Sequence, residues 1–65
     1  MVRNNIEAER GRLGLSKIAL CAKLGITTKT YNGYLAGHSI PSRILEELRA
    51  LTGKTVDYLL GLADQ

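Results

Sequence analysis

The stretch SKIALCAKLGITTKTYNGYLAG, residues 16–37, decides how this chain folds. Ser16 is a good N-cap residue, and the eight residues after it place Leu20 and Leu24 one helical turn apart with Cys21 beside them. Gly25 stands where a left-handed residue is wanted to end that helix. Gly25-Ile26-Thr27 is then a three-residue turn, Thr27 is a second N-cap, and a second helix is expected from Thr28 to Ala36, with Gly37 closing it. This second helix has poor intrinsic propensity: Thr28, Thr30, Tyr31, Asn32, Gly33 and Tyr34 all rank below alanine, and Gly33 alone costs ~1 kcal/mol. It is helical only if Tyr31, Tyr34 and Leu35 dock on neighbouring helices. Its exposed positions therefore answer to something other than stability.

Three more helices flank this pair. One is expected from Asn4 or Asn5 to Leu13, capped by an asparagine and stopped by Gly14, with Ile6 and Leu13 on one face and Val2 extending it. Another runs from Ser42, its expected cap, to Thr52, after the break at Pro41. It carries an apolar stripe of Ile44, Leu45, Leu48 and Leu51. The last begins at a Thr55 cap and turns Val56, Leu59 and Leu60 inward before Gly61, with Asp57 favourable to the dipole of its first turn. No alternating run bounded by hairpin turns suggests a strand. The 65 residues read as one compact all-α domain of five helices, with residues 17–36 as its central pair.

Composition narrows the chemistry. Phe and Trp are absent and there are three tyrosines, so the core is aliphatic. A single cysteine, Cys21, forms no intrachain disulfide and supports no cysteine-based zinc site, which fits a reducing, cytoplasmic setting. Met1 to Glu9 carry both charge signs and no apolar run, unlike a signal peptide, and no stretch approaches the ~18 apolar residues of a membrane span. The net charge of +3 is unevenly spread. Arg10, Arg12, Lys17, Lys23, Lys29 and Arg43 follow one another with no acid among them, whereas Glu46, Glu47, Asp57 and Asp64 outnumber Arg49 and Lys54 afterwards. A cationic region of this kind suits a polyanion.

Two helices joined by a short glycine-containing turn have helix-turn-helix geometry. Here the chain resembles the Cro and λ-repressor type of phage helix-turn-helix domain, the XRE-like family. Leu20, Leu24, Ile26, Tyr31 and Tyr34 stand at that family's apolar positions, Cys21 at its small position and Gly25 in its turn. Its leading Gly-Leu-Ser is Gly14-Leu15-Ser16, and its closing run is Val56-Asp57-Tyr58-Leu59-Leu60. The resemblance covers nearly the whole chain. It implies a phage-repressor-like fold and a transcriptional regulator that reads double-stranded DNA with residues 28–36. It also implies a homodimer on a pseudo-palindromic operator, for which Tyr58 and Leu62 offer candidate apolar contacts.

Within that resemblance, the residues left over after docking assign the base contacts to Thr28, Lys29, Asn32 and Gly33. Lys suits guanine acceptors, Asn suits adenine, and Thr suits several edges. A lysine in a helix's first turn opposes the dipole, a cost a DNA anion field would offset. Phosphate contacts fall to Arg10, Ser16, Lys17, Thr27, Ser39 and Arg43, helped by the backbone N–H groups that open the fourth helix. Lys17 stands where relatives often have Gln, adding charge and losing two-way hydrogen bonding. Gly33 and Ala36 depart from relatives that carry long polar side chains there, which shifts weight to DNA shape. Leu35 replaces an acid that in relatives pairs with a helix-one arginine, so Leu35 is expected to be buried and Arg10 free for phosphate.

Other chemistry finds little support. His38 has no second His or Cys to complete a metal site and reads as a loop histidine near phosphate. Cys21 reads as an inert buried thiol. Glu7, Glu9, Glu46 and Glu47 read as carboxylates on helix surfaces, and Arg12, Lys23 and Arg49 as solvated charge. No catalytic residues, cofactor, metal or small-molecule substrate are expected. The competing function is a protein-interaction module of antitoxin or anti-repressor type on the same scaffold. The acid-free basic run favours DNA.

Overall fold

The structure is a computed structural model and describes residues 3–62. It contains α1 (Asn4–Arg12), α2 (Lys17–Leu24), α3 (Thr28–Ala36), α4 (Ser42–Thr52) and α5 (Val56–Leu59), with no strand among the described residues. The expected fold class is therefore correct: this is an all-α domain of five helices. Val2 and Asp64 lie outside the described residues.

Three helix starts follow from hydroxyl caps. The Ser16 side chain accepts from the Ala19 N–H at 3.0 Å, Thr27 from Thr30 at 3.1 Å, and Thr55 from Tyr58 at 3.1 Å. Each satisfies one of the backbone donors that a helix start leaves unpaired. Gly25 ends α2 at φ 71°, a conformation that L side chains rarely adopt. That turn lets α3 fold back across α2.

Two expected caps are not made. Residue Arg3, not an asparagine, occupies the N-cap of α1, and no side chain caps that end. Asn5 lies inside the helix, where its amide donates to the Tyr58 carbonyl at 2.7 Å and ties α1 to α5. At α4, Pro41 takes the cap position and Ser42 is the first helical residue, again without a side-chain cap. The Pro41 carbonyl accepts from Ile44 and Leu45 instead.

The core gathers Ile6, Leu20, Cys21, Leu24, Tyr31, Tyr34, Leu35, Ile44, Leu48 and Leu59 from all five helices. Tyr31, Tyr34 and Leu35 dock α3 as its sequence requires, and Cys21 is buried and free. Burying side chains of this size yields about 1.5–3 kcal/mol each, enough to offset the ~1 kcal/mol that Gly33 costs the helix. Leu13, Leu45, Leu51, Val56 and Leu60 are half-buried at the margins of the core. Tyr58 also packs against it, so it is not the exposed apolar contact expected for a dimer, whereas Leu62 is exposed.

Candidate nucleic-acid interface

An acid-free helix face is the starting point. A turn of 100° per residue puts Tyr31, Tyr34 and Leu35 on the buried side of α3 and Lys29, Gly33 and Ala36 around the middle of the opposite side. Thr28, Lys29, Thr30, Asn32 and Ala36 are exposed there. Ser16, Thr27, Ser39 and Arg43 are also exposed, and Lys17 is half-buried.

Lys17 reaches across from the first residue of α2, where its Nζ donates to Asn32 Oδ1 at 3.2 Å. This pins one oxygen of the Asn32 amide and leaves its NH₂ donors for another acceptor. Arg43, at the start of α4, donates from Nη2 to the Leu24 carbonyl at 3.3 Å and so fastens α4 to the end of α2. Among the described residues the ion pairs are Arg10–Glu7 and Arg12–Glu9. Lys17, Lys29 and Arg43 make no ion pair among the described residues: Lys17 reaches α3 through Asn32, Lys29 lies on α3, and Arg43 is tied to the end of α2.

Arg10 departs from expectation. Leu35 is buried as anticipated, but Arg10 is not left free. It grips Glu7 with two parallel bonds, Nε to Oε2 at 3.0 Å and Nη2 to Oε1 at 2.9 Å, while Nη1 donates to the Leu15 carbonyl at 2.8 Å. The acid that relatives place on helix three is supplied here from within α1. Arg10 thus braces the turn into α2.

The α1 carboxylates are also not surface charge. Glu9 is only 5 % exposed. Its Oε1 accepts from Arg12 Nε at 2.8 Å, and its Oε2 from the Tyr58 hydroxyl at 3.2 Å. Arg12, read as solvated charge, also donates to the Thr52 carbonyl at 3.0 Å and so joins α1 to the end of α4. Glu7 Oε2 accepts from the Tyr31 hydroxyl at 2.6 Å. The Arg10 hydrogen bonds hold the Glu7 carboxyl down at about 2, against the opposing effect of burial. Burial works to raise Glu9, but the Arg12 and Tyr58 hydrogen bonds outweigh it and leave its pKa lowered. Burial first, and then the bond to Glu7, raises the Tyr31 phenol. The available signal was the i,i+3 spacing of both Glu–Arg pairs, together with tyrosines in an aliphatic core whose hydroxyls need partners.

Gly33 does not lie open. A Cβ built there would stand 2.9 Å from His38 Nδ1, because the imidazole lies against it. Cys21 is buried and its thiol is pushed up by that burial, so its thiolate is disfavoured. Among the described residues there is no group of His, Cys, Asp and Glu able to hold a metal ion, and no helix is long and apolar enough to cross a membrane.

Two helices crossing at a Gly25 turn, the second presenting an acid-free polar face, define a helix-turn-helix domain. The chain matches the helix-turn-helix family over residues 6–59 and belongs to that family, in its Cro and λ-repressor type, whose domains bind DNA and typically serve transcriptional regulators. The family is one of DNA-binding regulators and not of enzymes. The curated proteins contain no match to the chain, and the solved structures contain none.

Proposed function

We propose that this protein is a sequence-specific, repressor-like regulator that lays α3 in the major groove of double-stranded DNA. The observation that carries this is the exposed, acid-free face of α3, which bears Lys29 and is bonded by Lys17, neither of them in an ion pair. A helix fits a groove about 12 Å wide, and residues near its start reach deepest. Thr28, Lys29 and Asn32 read base edges, the last through the NH₂ that its bond to Lys17 leaves unengaged. Ser16, Lys17, Thr27, Ser39 and Arg43 hold the phosphates on either side. The first N–H groups of α4, which no side chain caps, offer a further donor pair. Arg10 serves the framework, and Gly33 is covered by the His38 ring. A homodimer on two-fold-related half-sites, acting in the cytoplasm on the nucleoid, completes the reading.

Titration of a fluorescent random-sequence duplex across a salt series tests it. Wild type should bind in the ~10⁻⁴–10⁻⁶ M range and weaken steeply with salt. Lys29→Ala should weaken binding, and Lys17→Ala, at a proposed phosphate contact, should also reduce the salt slope by about 1. Absence of binding at low salt would overturn the DNA reading and turn the search to protein partners.

A further inference from the structure

We propose that His38 is a base-reading residue whose imidazole fills, from the loop after α3, the place on the reading face that Gly33 leaves empty. The proposal rests on the DNA-binding reading above and extends it by assigning a specificity determinant outside the recognition helix.

A glycine inside a helix weakens it, so it calls for a reason. A positive φ is not that reason, because Gly33 is helical and the positive-φ glycines are Gly14, Gly25, Gly37, Gly53 and Gly61. Packing against another helix is not the reason either. The three nearest atoms a Cβ would meet are Nδ1 at 2.9 Å, Cε1 at 3.5 Å and Cγ at 3.6 Å, all in the His38 ring. The space is kept for the imidazole.

His38 is also held in place at its backbone. Its N–H donates to the Gly33 carbonyl at 3.0 Å, and its carbonyl accepts from Arg3 Nη1 at 2.6 Å. The same Arg3 nitrogen donates to the Tyr34 carbonyl at 2.9 Å, so a cation from the start of the chain binds the end of α3 and the turn after it. The residue is nonetheless exposed, and its ring packs on the outward face of α3 and not in the core.

The ring turns its Nδ1 vertex to Gly33, which leaves the Nε2–Cδ2 edge further from that glycine. An imidazole nitrogen carrying a proton is a hydrogen-bond donor. Helical spacing puts Gly33, on which the ring rests, between Lys29 and Ala36 on the reading face, and the match for such a donor there is an acceptor on a purine edge, N7 or guanine O6. This chain thereby recovers, from a loop, a reading group that Gly33 and Ala36 cannot provide.

Selection from a library of randomised duplexes tests the assignment, comparing wild type, His38→Ala, Gly33→Ala and the double variant, each first shown to be folded by circular dichroism. Wild type should enrich sites with a purine at a position that His38→Ala no longer discriminates, a loss of about five- to tenfold in preference there. The other positions should keep their preference. Gly33→Ala leaves the imidazole present but pushes it off its seat, so it should disturb the same position and have no further effect once His38 is gone. Unchanged preference in His38→Ala would overturn the proposal. So would a Gly33→Ala defect of equal size in both backgrounds, which would mean that the glycine serves DNA approach and not the histidine. Wild type that binds random duplex but enriches no site leaves the DNA face standing and removes His38 as a reader. Wild type that binds no duplex defeats the underlying DNA reading itself.

Discussion

Replacing Glu7 by glutamine removes a charge while keeping the side chain's shape. The new amide can still accept from the Tyr31 hydroxyl through its oxygen, but its NH₂ cannot receive the second of the two Arg10 bonds. The native carboxyl sits at about 2 instead of its ordinary 4.5, chiefly through Arg10. That difference corresponds to roughly 3 kcal/mol, since each tenfold change in proton affinity is worth about 1.4 kcal/mol. The pair is 24 % and 18 % exposed, so solvent screening brings the expected loss to about 2 kcal/mol at pH 7. A domain of this size has a total stability of only about 3–10 kcal/mol, and the melting temperature should fall by roughly 8–16 °C. A carboxyl whose folded pKa is depressed stabilises above its unfolded value and loses that contribution as pH falls. Here the loss spans the interval from 4.5 down to about 2. Urea unfolding of wild type and Glu7→Gln at pH 7 and pH 3 should show the gap between them shrinking to under half. An equal gap at both pH values would refute the role given to the charge, as would a gap below about 0.5 kcal/mol at pH 7.

Two further perturbations separate framework from interface. Thr27→Ala and Thr55→Ala each remove a hydroxyl cap and should each cost about 1 kcal/mol in urea unfolding, yet only Thr27→Ala should also weaken duplex binding, because Thr27 lies at the proposed phosphate contact. Tyr58→Phe removes the donor to the buried Glu9 carboxylate and should lower the urea midpoint with duplex affinity unchanged once the protein is folded; loss of affinity in a stably folded variant would contradict the placement of Tyr58 in the framework.

Local signals in the sequence carry most of the fold. The limits of α2 and α3 are legible because Ser16 and Thr27 cap them and Gly25 and Gly37 stop them, all within a few residues of the helices they bound. The start of α1 at Asn4 is legible, but its asparagine cap is not made, and the amide of Asn5 bonds instead to Tyr58, 53 residues away. The span of α4 from Ser42 to Thr52 is legible, but its cap is not, because Pro41 takes the cap position and Ser42 is the first helical residue. Docking of α3 by Tyr31, Tyr34 and Leu35 is legible from helical period, and with it the exposure of Thr28, Lys29 and Asn32. The placements of Glu7 and Glu9 are not, because their tyrosine partners lie 24 and 49 residues along the chain. The seat of His38 is hidden for a related reason. Gly33 looks like an absence of function until the turn at Gly37 brings the next side chain back over it.

The tyrosine–carboxylate bonds also change how the charge of the interface is counted. The sequence offers six cations from Arg10 to Arg43 with no acid among them, which suggests a broad basic face. Arg10 and Arg12 are neutralised by Glu7 and Glu9, which precede that run, so they contribute to holding α1 on its neighbours and little to the field that DNA would meet. Four cations remain, and three of them, Lys17, Lys29 and Arg43, belong to the segments that frame α3. With two to four of these cations on phosphates the salt slope should be about −2 to −4, against roughly −5 or steeper if all six acted. Electrostatic attraction is then too modest to hold one domain tightly on any sequence, and discrimination has to come from the contacts that α3 and its following turn make with base edges. The same economy explains why a second copy on an adjacent half-site would matter, since doubling the interface doubles the phosphates engaged without adding a cation to the fold.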